Sequence, residues 1–138
     1  MTTGYTLDQL SLDQSVEYVK TVTQEDVQDF ARITGDTNPV HLDAEYAAKT
    51  SFGQPIAHGM LSAGFISAAI GTKLPGPGCI YLDQSVKFRG PVFIGQEVVT
   101  RITVADINQR RKRVTLKTEC LCEGKLVVTG EATIMMPA

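Results

Sequence analysis

The chain has 138 residues, 43% of them hydrophobic and 20% charged, with a formal net charge of −2. That length suffices for one domain, residues 1–138, with a buried core. The charge is too small and of the wrong sign for a nucleic-acid partner or an anionic membrane surface.

The opening residues Met1-Thr2-Thr3-Gly4-Tyr5 carry neither the basic start nor the apolar run of a signal peptide. The longest apolar stretch, from Met60 to Ile70, falls short of the roughly 20 residues a bilayer span needs. A cytoplasmic protein is expected. Cys79, Cys120 and Cys122 form no Cys-x-x-Cys pair, and Cys120 and Cys122 share one face of a strand, as two small buried hydrophobes would in a reducing compartment.

In chain order, Val16 and Tyr18, with Val22 further on, follow a half-buried strand pattern. Thr23 is placed to cap a helix whose first turn carries Gln24, Glu25 and Asp26, suited to the positive end of the helix dipole. Val27, Phe30, Ala31 and Thr34 continue at helical spacing, and Gly35 ends the helix in a left-handed conformation.

Asp36 and His41 then flank Pro39. On a straight helix they would face different sides, but the proline predicts a bend rather than a helix here. A bend can aim a carboxylate and an imidazole at one point, where they share a water molecule; that is the minimum kit for adding or removing water. By itself, Asp36 could equally serve an Asx-turn ahead of Asn38-Pro39.

Asp43 is placed to cap a short helix over Ala44, Glu45, Tyr46, Ala47 and Ala48. The segment from His58 to Ile70 is apolar or small on nearly every face, which predicts a helix buried all round. Strands follow near Cys79–Phe88, Glu97–Asn108, Lys112–Cys122 and Lys125–Met136, with a turn at Gly95 and a tight hairpin at Glu123-Gly124. The class is α+β, with a long antiparallel sheet against one buried helix.

These residues carry a specific resemblance. Gly35-Asp36-Thr37-Asn38-Pro39-Val40-His41, followed by Ala47 and by His58-Gly59-Met60, resembles the hydratase signature of MaoC-like (R)-specific enoyl-CoA hydratases. The run from Leu74 to Ser85, with Pro91-Val92-Phe93-Ile94-Gly95, is similar to the short members of that family, which supply polyhydroxyalkanoate synthesis from fatty-acid oxidation. The likeness extends from about Val22 to the C-terminus.

The resemblance implies a single hot-dog domain, its sheet wrapped around the central helix. It implies syn hydration of a trans-2-enoyl-CoA by a homodimer, without metal or redox cofactor. Asp36 and His41 match the catalytic pair, and Gly59 the backbone donor of an oxyanion hole at the start of the long helix. Asn38 matches an amide that braces the loop or positions the water. Ser67 matches a serine near the pocket, and Ile70, three residues on, is placed as a wall of the acyl pocket.

Plainer roles compete with these. Gly59 could simply ease the turn into the helix, Ser67 could back-bond to a carbonyl, and His58 reads as a structural residue hydrogen-bonding near the helix start. Asp36, His41, Asp43 and His58 lack the spacing of a zinc site. Arg110-Arg111-Lys112-Arg113 reads as a solvated turn, with Lys87 and Arg89 as the other basic candidates for the coenzyme A phosphates.

Three other functions fit the fold. A thioesterase would place a carboxylate on or near the central helix, and none lies between Gly59 and Gly71. A non-catalytic acyl-thioester-binding subunit would not need both Asp36 and His41. A dehydratase acting on acyl-carrier-protein thioesters would keep the same chemistry and change only the carrier.

Overall fold

A computed structural model describes residues 4–137; Met1, Thr2 and Thr3, read above for a leader, lie outside the described residues. Strand β1 (Ser15–Thr21) runs into helix α1 (Gln24–Thr34) through Val22, which is fully buried. Thr23 caps α1 as expected: its hydroxyl accepts from the Asp26 N–H, and the Asp26 carboxylate accepts from the Thr23 N–H. That backbone bond, with Lys20 at 3.3 Å, holds the Asp26 carboxyl below its ordinary value. Gly35 closes the helix at φ 82°, a conformation that glycine adopts without strain.

The bend at Pro39 is present, but it carries a turn of helix that the proline rule argued against, α2 (Pro39–Leu42). The proline sits at the first helical position, where no N–H is needed and its fixed φ is already helical. Asn38 caps the turn by accepting from the Val40 N–H at 3.2 Å. Asp43 in turn caps α3 (Ala44–Ala48) through the N–H groups of Glu45 and Tyr46.

Helix α4 (Gly59–Thr72) is followed by β2 (Ile80–Phe88), β3 (Glu97–Asn108), β4 (Arg113–Cys122) and β5 (Lys125–Met135). The five strands form one antiparallel sheet in the order β1-β3-β4-β5-β2. Alternation sets the register: Val114, Leu116, Thr118, Cys120 and Cys122 of β4 all point inward and are buried. Glu123 and Gly124 link β4 to β5 with φ of 50° and 77°, the paired positive angles of a tight hairpin.

The sheet curls around α4. Phe65, Ile66, Ala69 and Ile70 pack against Val98, Ile102 and Val104 of β3, Val114 and Leu116 of β4, and Ala132 and Ile134 of β5 in one core. Each large aliphatic side chain buried there contributes about 1.5–3 kcal/mol. The expectation of burial all round is corrected, because Met60, Gly64, Ser67 and Gly71 form an exposed stripe on the other face of α4. Within one chain the sheet covers a single side of the helix. Among the described residues, no helix is long and apolar enough to cross a membrane.

Candidate active site

The start of α4 faces the loop that follows α1, and between them lies a cavity of about 520 Å³ lined by Asp36, His41, Ile56, His58, Gly59 and Ser62, among others. Three of the chain segments around it carry Asp36, His41, His58 and Gly59. The 35–41 segment leaves α1 through the Gly35 cap and is tied down by the Asn38 cap of α2. The strand-like segment before α4 is anchored by an isolated bridge between Ile56 and Phe93 and by the Ala57 N–H donating to the Val92 carbonyl at 2.7 Å. The third segment is the first turn of α4 itself.

His41 is oriented by the second segment. Its Nδ1 lies 2.7 Å from the Ile56 carbonyl oxygen. A carbonyl can only accept, so Nδ1 donates this bond, and in a neutral ring Nε2 is then the acceptor nitrogen. Asp36 is exposed, and its Oδ1 accepts from the Asn38 N–H at 3.3 Å. The Asx-turn and the functional placement therefore coexist: one carboxylate oxygen makes the turn, and the residue still lines the cavity.

His58 caps α4 without any side-chain cap bond. Its ring reaches back instead, with Nε2 2.9 Å from the backbone carbonyl of Asp36. The ring stacks on His41 with centroids 3.9 Å apart and packs on Phe30 at 4.7 Å. Sequence reasoning placed a hydrogen bond of His58 near the helix start; the partner lies 22 residues upstream.

Because the His58 side chain leaves the helix end uncapped and the Leu61 N–H is taken by the His58 carbonyl, the Gly59 and Met60 N–H groups have no partner among the described residues. Both residues line the cavity. Two free N–H groups at the positive end of a helix attract a developing oxyanion. A β-carbon on Gly59 would lie 2.7 Å from Cε1 of Phe88, so the close approach of that ring requires glycine.

Asn38 braces the loop as the α2 cap. Ser67 and Ile70 do not reach this cavity within one chain: Ser67 is exposed and Ile70 is in the core, 1% exposed. The helix rises about 1.5 Å per residue, which carries them roughly 12 and 16 Å along the axis from Gly59. Ser62 lines the cavity instead, buried one turn beyond Gly59. Its i+3 spacing from Gly59 is the signal that would have found it. Of the basic candidates Arg89 lines the cavity, with Nε donating to the Thr129 hydroxyl at 2.9 Å, whereas Arg110, Arg111, Lys112 and Arg113 sit exposed on or beside the β3–β4 turn.

The Asp36, His41 and His58 ligand-type atoms fall within 4.8 Å of one another. Each ring has already given one nitrogen to a carbonyl, and stacked rings aim their in-plane lone pairs side by side rather than at one ion. Asp43 is occupied in capping α3. The arrangement instead suits proton transfer: an imidazole acceptor and a carboxylate lie beside free N–H donors, in a cavity whose other walls include Ile56, Ala57 and Val92.

The MaoC like domain family matches residues 9–124 of the chain. An (R)-specific enoyl-CoA hydratase of Rhodospirillum rubrum is 51% identical over 125 residues, covering 91% of this chain and 87% of that protein. The solved structure of the R-hydratase PhaJ1 from Pseudomonas aeruginosa, in its unliganded form, superposes with a TM-score of 0.93 at 46% identity, over 97% of this chain and 86% of that one. The (R)-hydratase from Aeromonas caviae involved in PHA biosynthesis superposes with a TM-score of 0.91 at 41% identity, over 94% of this chain and 98% of that one.

Proposed function

The chain belongs to the MaoC-like domain family, and from that premise we propose that it is an (R)-specific enoyl-CoA hydratase that interconverts trans-2-enoyl-CoA and (3R)-3-hydroxyacyl-CoA. One observation carries the reading. Asp36, His41 with its Nδ1 held by the Ile56 carbonyl, and Gly59 with its free N–H line one cavity.

In the proposed reaction, Asp36 and His41 hold a water molecule and take a proton from it as its oxygen adds to C3 of the enoyl chain. Electrons move from the C2–C3 double bond onto the thioester oxygen. The Gly59 N–H stabilises that charge, and the lost proton is returned to C2 from the same face. Water is the only co-reactant the balance requires. Removing a donor of the Gly59 kind costs about 100–1000-fold in turnover. Asn38 keeps the Asp36 loop in shape.

The homodimer of the proposal uses the surface left open on one chain. Edge strand β2 exposes Ile80, Tyr81, Leu82 and Phe88, and α4 exposes Met60, Gly64, Ser67 and Gly71. A second copy paired along β2 would cover both features and remove a sheet edge. We place the enzyme in the cytoplasm, where it would supply polyhydroxyalkanoate monomers from fatty-acid oxidation.

Hydrolysis of the thioester has less support, since α4 carries no carboxylate. Parallel assays on crotonyl-CoA and on the matching acyl-carrier-protein thioester, with chiral analysis of the product, test the reading. (R)-3-hydroxybutyryl-CoA formed faster from the CoA ester supports it. Preference for the carrier-protein ester overturns the substrate assignment, and release of free coenzyme A overturns the reaction.

A further inference from the structure

We propose that His58 is a positioning residue for the hydration step, holding Asp36, His41 and Gly59 in one arrangement through its ring and its own peptide. The inference rests on the hydratase reading above. His58 is 2% exposed, one of few polar side chains in the interior.

Its contacts divide the work. Nε2 donates to the Asp36 carbonyl at 2.9 Å, on an otherwise exposed loop. The Asp36 N–H is held by the Thr34 hydroxyl at 3.2 Å, so both sides of that residue's backbone are restrained. The ring lies against His41 at a 3.9 Å centroid separation and a 30° tilt, which resists rotation of the imidazole that Ile56 orients. The main chain of His58 then leads directly into the Gly59 N–H.

The unused nitrogen shows why a histidine is needed here. Nδ1 of His58 is buried and has no hydrogen-bond partner among the described residues. A neutral imidazole has one N–H, and it is spent on Asp36, so Nδ1 is an unmet acceptor. Burying such an atom is unfavourable. Phenylalanine would fill the slot between Phe30 and His41 without that cost. The Nε2–H bond to Asp36 is the gain that phenylalanine lacks.

Two experiments on the full-length protein test this. The first compares His58→Phe, His58→Gln and His58→Asn in crotonyl-CoA hydration, with folding checked by thermal melting. Phe keeps the ring packing and loses the donor. Gln reaches about as far as Nε2, whereas Asn carries the same amide only as far as Nδ1. His58→Phe should lower kcat by about 100-fold, the scale of loss for a misplaced catalytic group, with KM little moved. His58→Gln should recover most of it and His58→Asn should not. A fully active His58→Phe, or a folded His58→Gln no better than His58→Asn, would overturn the proposal.

The second experiment needs no variant. The chain has 2 histidines, so long-range ¹H–¹⁵N spectra of the wild type separate the two rings. The proposal requires a proton on Nε2 of His58 and on Nδ1 of His41; a proton on Nδ1 of His58 overturns it even if every variant fails to fold. Wild-type protein inert toward enoyl-CoA would sink the hydratase reading itself, while the tautomer spectrum still decides the Asp36 contact.

Discussion

The Nδ1 of His41 donates to the carbonyl of Ile56 at 2.7 Å, and this bond leaves Nε2 as the nitrogen the proposed reaction uses. Ile56 is itself fixed, through its bridge to Phe93 and its N–H bond to the Val40 carbonyl. The scaffold thus holds the His41 ring in one orientation before any ligand arrives. Preset geometry of this kind lowers the cost of organising the reaction.

Gly59→Ala should impair catalysis through Phe88. The new β-carbon would meet the ring at 2.7 Å, so the ring must swing away from its place beside the first turn of α4. Phe88 is half exposed and its ring can give way, so the expected loss in kcat/KM is several-fold, on the order of the few-fold effects of a small shift in packing. Adding Phe88→Ala removes the clash and should restore part of the activity. Equal activity of Gly59→Ala and wild type would show that the close approach is unimportant.

Arg89 and Arg111 should behave differently. Arg89 lines the cavity, while Arg111 lies on the exposed β3–β4 turn. Arg89→Ala should raise KM for CoA thioesters several-fold, more at low salt than at high, because an exposed charge acting on a phosphate is screened. Arg111→Ala should leave KM unchanged. Steady-state kinetics at two ionic strengths separate them, and the reverse pattern would move the phosphate contact to the hairpin.

The core prediction concerns Ile66, which is fully buried at the centre of the packing between α4 and the sheet. Ile66→Ala should cost about 2–5 kcal/mol in unfolding free energy. Urea titration measures it. A loss under about 1 kcal/mol would mean that the site collapses around the smaller side chain.

Thiol titration gives a pH test. Burial, partly offset by a hydrogen bond with Thr100, pushes the Cys120 thiol from 9.0 up to about 11. Below pH 9.0 the thiol is protonated in folded and unfolded chains alike. From 9.0 to about 11 the unfolded chain releases a proton that the folded one keeps, so stability falls as pH rises. Cys120 should therefore resist alkylation in the native protein at pH 8, while all 3 cysteines react in denaturant. Rapid native labelling at Cys120 would contradict the buried placement.

Much of this was legible in the sequence where the controlling interaction is local. Thr23 and Gly35 bound α1, Asp43 starts α3, and Glu123-Gly124 turns β4 into β5, each acting within a few residues. The Asp36-to-His41 element was legible because its atoms come from one loop. Pro39 misled because a proline that cannot continue a helix can still begin one. His58 was only half legible, since its partner lies far upstream and no local pattern encodes that bond. Ser67 is placed near the pocket by the family resemblance and Ile70 by its spacing from Ser67, but both lie far enough along α4 from Gly59 that one chain does not bring them to this cavity. Ser62, buried at the cavity wall, is legible only through its i+3 spacing from Gly59.

The most direct test of the central claim is the loss of conjugated enoyl-thioester absorbance with crotonyl-CoA, comparing wild type, Asp36→Asn and His41→Ala. Each variant should lose at least the roughly 100-fold that a positioned acid–base group contributes, with circular dichroism unchanged. A correctly folded variant of either residue that turned over near the wild-type rate would contradict the assignment of Asp36 and His41 as the groups that activate water.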